Sequence, residues 1–154
     1  MLDKPQIVKI ADQTIAVIRL RVPREEIQEV MGPSHGELMA AVAAQGVTTI
    51  GPWFTHHLRM PAEVFDFEIG VPVAKPVSAA GRVKPSRWPA MTVARTVYHG
   101  PYEGLASAWG EFMAWIAAEG HKPQSELWEC YLAGPESGPD PAKWRTQLSR
   151  PLTR

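Results

Sequence analysis

A chain of 154 residues in which 16 Lys and Arg balance 16 Asp and Glu carries no formal net charge, so it offers no basic footprint for nucleic acid and direct DNA binding is not expected. Its one cysteine, Cys130, excludes an intramolecular disulfide and a cysteine-built zinc cage. A composition of 45% hydrophobic and 21% charged residues belongs to a chain that folds. With neither a leader pattern in M-L-D-K-P-Q nor a run of about 18 apolar residues, the expectation is a soluble cytoplasmic protein, free of membranes, built as one domain over residues 1–154.

A short strand is expected at residues 6–10 and a β-branched one at T-I-A-V-I-R-L, residues 14–20. A helix follows from Pro23, with acids in its first turn. Pro33 should break it, and S-H-G-E at Ser34 has the spacing of a capping box from which it restarts. L-M-A-A-V-A-A-Q-G, residues 38–46, ends it at a glycine. Strands should come next around G-P-W-F-T-H-H-L, residues 51–58, and D-F-E-I-G-V-P-V, residues 66–73. The run at residues 81–84 adds another, and the Pro-rich S-R-W-P-A stretch after it puts Trp88 in a loop, where it reads as a lid over the cleft ahead of a simple surface anchor.

The order then repeats. M-T-V-A-R-T-V-Y, residues 91–98, is a strand, and a second helix runs from Pro101 to Gly120 with Leu105, Trp109, Phe112 and Ile116 on one apolar stripe that assigns Trp109 and Phe112 to core. Its end, F-M-A-W-I-A-A-E-G at residues 112–120, matches residues 38–46 at an offset of 74 residues. At the same offset Thr55 falls on Glu129 of L-W-E-C-Y-L-A-G-P. E-I-G-V-P at residues 68–72 falls on Q-L-S-R-P at residues 147–151 with an offset of 79, the difference being a loop insertion at G-P-E-S-G-P-D-P. The fold class is therefore α+β: a duplicated β-α-β-β module with pseudo-two-fold symmetry, its halves at about residues 5–75 and 80–154, antiparallel sheets, two long helices and a central ligand cleft.

Alternation along residues 126–132 puts Leu127, Glu129 and Tyr131 on one face and Trp128, Cys130 and Leu132 on the other. The second, wholly apolar set is expected under the helix, which turns Glu129 the other way, into a cleft shared with Trp53 and His57. Three uses of that acid fit the pattern: a charge partner for a cationic ligand, a general acid or base of raised pKa, or a group on a wetted sheet face. Glu68 lies on the polar face of its own strand, lining the cleft or exposed. Adjacent His56 and His57 point to opposite faces, so no metal site is expected. G-x-S-x-G, a Gly-rich phosphate loop and H-E-x-x-H are all missing, and no cofactor is implied.

V-A-R-T-V-Y-H-G-P-Y-E-G-L, L-W-E-C-Y-L-A-G-P, P-D-P-A-K-W-R-T-Q-L-S-R-P-L and D-F-E-I-G-V-P-V together resemble the GyrI-like small-molecule-binding domain, over nearly the whole chain. That domain also forms the effector-binding part of AraC-type and MerR-type transcription activators and is related to the SOUL haem-binding proteins. The resemblance implies binding of lipophilic, often cationic aromatic compounds. It makes Glu129 the ligand-facing acid of the E-x-Y strand, with Tyr131 beside it; the cleft read from the repeat adds Trp53, His57 and Leu127, and Tyr98, Trp88 and Glu68 complete the candidate contacts. Two further functions are implied by branches of the family. One is hydrolysis of cyclopropane-bearing genotoxins by Glu129 with Tyr98 or Tyr131. The other is protection of DNA gyrase as a protein partner. The chain departs from the family at Tyr98, where His is common, and at Gln147, where an acid is common, which argues against a two-carboxylate mechanism.

Overall fold

The computed structural model describes residues 1–59, 63–135 and 138–153. Ten elements of regular structure carry the fold: β1 (Gln6–Ile10), β2 (Gln13–Pro23), α1 (Ile27–Ala44), β3 (Phe54–His57), β4 (Val64–Pro72), β5 (Val83–Trp88), β6 (Met91–His99), α2 (Leu105–Ala118), β7 (Leu127–Ala133) and β8 (Arg145–Pro151). They group into two compact units, Met1–Ile10 with Met91–Arg154 (unit one) and Ala11–Ala90 (unit two). Each unit has four antiparallel strands and one long helix. The order is β1-β6-β8-β7 with α2 in unit one and β5-β2-β4-β3 with α1 in unit two.

These units differ from halves cut near residues 75–80. β1, the first strand of the first half, bonds along β6, Gln6 opposite Arg95, while β5 bonds along β2, Lys84 opposite Val17. The reason is in the hydrogen bonding: the short links from β1 to β2 and from β5 to β6 do not close hairpins, and each of β1 and β5 completes the sheet of the other half. Pro85 lies in β5 at the sheet edge, where a missing N–H leaves no ladder bond unmade.

The repeat is geometric as well as sequential. Thr55 stands opposite Ile69 as Glu129 stands opposite Leu148, and His57 opposite Phe67 as Tyr131 opposite Thr146. Both helices end alike, at Gly46 (φ 69°) and Gly120 (φ 78°), with Val47 N bonded to Val42 O at 3.2 Å and His121 N to Ile116 O at 3.1 Å. In unit one Ala108, Trp109, Phe112 and Ile116 of α2 bury against Ala94, Tyr98, Leu127 and Leu148; in unit two Leu38 and Val42 of α1 bury against Ala16, Ile18, Phe67, Ile69 and Val71.

Pro33 does not break α1. It sits on the exposed side of one continuous helix, and the residue before it is Gly32, whose missing Cβ removes the clash that keeps a pre-proline residue out of helical geometry. Ser34 and Glu37 do not cap a new helix either. Both turn to Arg82, Glu37 Oε1 at 2.8 Å from its guanidinium and Ser34 Oγ at 3.4 Å. The loop insertion at G-P-E-S-G-P-D-P includes Glu136 and Ser137, which lie outside the described residues; its later part holds a short 3-10 turn at Pro141–Lys143.

G-P-Y-E-G has a mechanical purpose. Gly100 takes φ 138°, Pro101 precedes a 3-10 turn at Tyr102–Gly104, and the Tyr98 hydroxyl donates to Pro101 O at 2.8 Å. A Cβ on Gly104 would collide with that hydroxyl. Gly104→Ala is therefore expected to lower stability by about 2 kcal/mol, and by clearly less on a Tyr98→Phe background that vacates the space. Denaturant unfolding of the four proteins of this cycle measures both, and equal costs on the two backgrounds would refute the coupling.

Candidate functional site

β7 presents Leu127, Glu129 and Tyr131 to α2. Leu127 is 1% exposed inside the α2 core, and the Trp109 indole Nε1–H donates to Glu129 Oε2 at 2.7 Å. Apolar count alone places Trp128, Cys130 and Leu132 beneath the helix. The structure inverts this, because both faces of β7 are largely buried, Trp128 at 1% and Cys130 at 5% exposure, so apolarity does not distinguish them. Leu132, at 44%, lies outward beside the register shift between Tyr131 and Ala133.

Glu129 is held at both oxygens, by Trp109 at Oε2 and by the Tyr131 hydroxyl, which donates to Oε1 at 2.8 Å. Among the described residues these are its hydrogen-bond partners, and no guanidinium, ammonium or imidazole pairs with it. Desolvation raises its pKa above the ordinary carboxylate range, and the two donors offset that only in part. The residue is nonetheless only partly buried, where Leu127 and Tyr131 are buried. Aromatic rings extend from it: Tyr131 meets Tyr102 edge-on at 5.9 Å, Tyr102 lies 5.1 Å from Trp144, and Trp109 lies 5.7 Å from Phe112. Trp109 and Tyr102 are neighbours of Glu129 and Tyr131 that sequence reasoning does not place there. The helical stripe hides Trp109 because the signal for core and the signal for a core residue with a donor aimed at a strand acid are the same.

Tyr98 is 7% exposed in the α2 core, its hydroxyl committed to Pro101 O. Trp53 and His57 stand on the α1 face of unit two, Trp53 against His35 at 4.5 Å and His57 stacked on Phe67 at 5.2 Å and edge-on to Phe65 at 5.8 Å. Glu68 takes the opposite face, its Oε1 3.3 Å from His56 Nδ1. Trp88 does not form a loop lid: it ends β5, is 2% exposed and packs on Phe54 at 5.4 Å, since the edge position lets a Pro-containing segment remain a strand. Burial pushes the Cys130 thiol up to about 12, so it is an inert core group. No cluster of three metal-ligating side chains occurs among the described residues, and none of the described helices is long and apolar enough to cross a membrane.

A sheet acid beneath a helix, held by two neutral donors and edged by aromatic rings, thus sits on a duplicated β-α-β-β frame of antiparallel strands. The chain belongs to the GyrI-like family: the model of the GyrI-like small molecule binding domain matches residues 3–153. No curated protein matches it. Among solved structures it is similar to the C-terminal domain of EcmrR (TM-score 0.86, 22% identity, 98% of each chain covered). It is also similar to EcmrR in a complex with DNA (TM-score 0.85, 24% identity, 98% of this chain), of which it spans 57% of the length. A protein bound to tetraphenylphosphonium aligns over 98% of this chain and 94% of its own (TM-score 0.68, 13% identity), and a hydrolase from Listeria innocua over 97% and 92% (TM-score 0.68, 14% identity).

The raised pKa of Glu129 fixes a sign. A group that binds its proton more tightly when folded adds stability below its unfolded pKa, and that stability is lost as pH rises through the folded value. Glu129→Gln, which keeps the shape without the charge, should therefore gain in Tm relative to wild type as pH is raised from about 4 to about 8. A difference in Tm that stays flat over that range would show that the carboxylate is not desolvated.

Proposed function

We propose that the chain binds lipophilic, cationic aromatic small molecules, with Glu129 as the charge partner and Tyr131, Trp109 and Tyr102 as the aromatic contacts around it. The observation that carries this reading is the pairing of Glu129 with two neutral donors and no cation in a desolvated setting, at a residue that keeps accessible surface. A buried carboxylate without a counter-charge is costly when ionised, and a ligand cation relieves that cost on arrival. The ring faces add cation–π attraction of roughly 0.5–2 kcal/mol. Two donors already fixed on the carboxylate orient it, so a cation meets a prepared partner and less ordering is left for binding to do. The likeness to a protein bound to tetraphenylphosphonium agrees with this chemistry.

A second reading rests on the same raised pKa, which suits Glu129 to act as a general acid or base toward an electrophilic ligand. Its mark is turnover: a strained electrophile consumed at a rate that Glu129→Gln abolishes.

The binding reading is tested by titrating wild type and Glu129→Gln with tetraphenylphosphonium and with its uncharged counterpart triphenylphosphine oxide, by calorimetry. The cation is expected to bind wild type at least tenfold more tightly than the variant, while the neutral compound is affected less than threefold. Equal affinity of both proteins for the cation would remove Glu129 from recognition.

A further inference from the structure

The duplication gives Trp109, Glu129 and Tyr131 counterparts in unit two. At the offset of 74 residues, His35 of α1 stands where Trp109 stands, Thr55 where Glu129 stands and His57 where Tyr131 stands. Strand register supports the last two, since Thr55 and His57 face Ile69 and Phe67 as Glu129 and Tyr131 face Leu148 and Thr146. The counterpart keeps the aromatic character, with Trp53 on His35, and Phe65 and Phe67 around His57. It has lost the acid. The nearest strand acids, Asp66 and Glu68, occupy the other face with Arg19, Arg59 and His56.

His57 is 6% exposed, and its Nδ1 is buried with no hydrogen-bond partner among the described residues. A native interior rarely leaves a polar atom so unless something else meets it. Its other nitrogen, Nε2, is not among the buried unpartnered atoms and makes no hydrogen bond to a described residue, so it retains accessible surface. Burial and the neighbouring His56 push its pKa down to about 4, so the ring is neutral near pH 7 and one nitrogen is free to accept a proton donor.

We propose that the His35–Thr55–His57 constellation of unit two is a second ligand-contact site, in which the neutral His57 imidazole accepts a hydrogen bond from uncharged aromatic compounds bearing a hydroxyl group. The two copies of the module thus divide the chemistry, an acid in one and an uncharged acceptor in the other. The proposal rests on the duplication and stands whether or not Glu129 recognises cations.

The probe is 2-naphthol, compared with 2-methoxynaphthalene, which has the same rings and no donor. In the wild-type protein, saturation with 2-naphthol is expected to shift the His57 ring ¹⁵N resonances, and the methoxy compound to bind about tenfold more weakly. His57→Phe, which keeps a ring on Phe67, should weaken 2-naphthol about tenfold while leaving tetraphenylphosphonium within twofold, and Glu129→Gln should leave 2-naphthol within twofold. Unmoved His57 resonances at saturation overturn the proposal without any need for a variant to fold. So does 2-naphthol binding that is lost with Glu129 and kept without His57, which would assign both compounds to the acid.

Discussion

A carboxylate withdrawn from water must either hold a proton, find a cation, or be held by donors that compensate only part of the loss. Glu129 has two such donors and no cation, and its raised pKa shows that they compensate only part of the desolvation. Trp109 reaches it only because α2 crosses β7 with its Trp109–Phe112–Ile116 stripe inward, and Tyr131 reaches it only because the two residues share a strand face. A salt bridge from Lys or Arg would neutralise the acid permanently and leave nothing for a ligand to do. Indole and phenol donors fix its orientation without supplying a charge, as the proposed recognition of a cation requires.

The duplicated module shows what is constrained and what is free. Helix ends, strand register and the glycine at each helix terminus are shared by both units, because they determine whether a helix can lie on its sheet at all. The polar groups on the covered face differ, Glu129 against Thr55 and Tyr131 against His57, because a register that fixes where a side chain stands says nothing of its chemistry. Gly70 marks the other kind of constraint. The Phe54 ring lies over it so closely that a Cβ would come within 2.6 Å, so the position serves packing alone.

Much of this is legible in the amino-acid sequence. The 74-residue offset reveals the duplication, and the stripe from Leu105 to Ile116 marks α2 and its buried face. Glu129 stands out as an acid inside an apolar strand. Where the pattern misleads, the reasons are physical. Alternation tells two faces apart but not which one a helix covers, and with Trp128 and Cys130 as buried as Leu127 the apolar count points the wrong way. Prolines mislead twice: Pro33 is carried by an exposed helix side after Gly32, and Pro85 by a sheet edge, so neither breaks its element and Trp88 is core where a loop is expected. The exchange of β1 and β5 between the halves leaves no local signal, since an edge strand reads the same whichever neighbour it joins.

The G-P-Y-E-G segment connects these strands of argument. Tyr98 ends on Pro101, Gly104 lies against the Tyr98 ring, and α2 begins at the next residue. Trp109 follows a little over one helical turn later. Any slackness in the lock rotates or lifts the helix start, and a displacement of about 1 Å is enough to spoil a hydrogen bond of 2.7 Å. Tyr98 is thus tied to the start of α2 through Pro101, and makes no direct hydrogen bond to the acid. The Tyr98 hydroxyl reaches over Gly104 to Pro101, so the contact that closes this turn lies directly before the helix that carries Trp109 to Glu129.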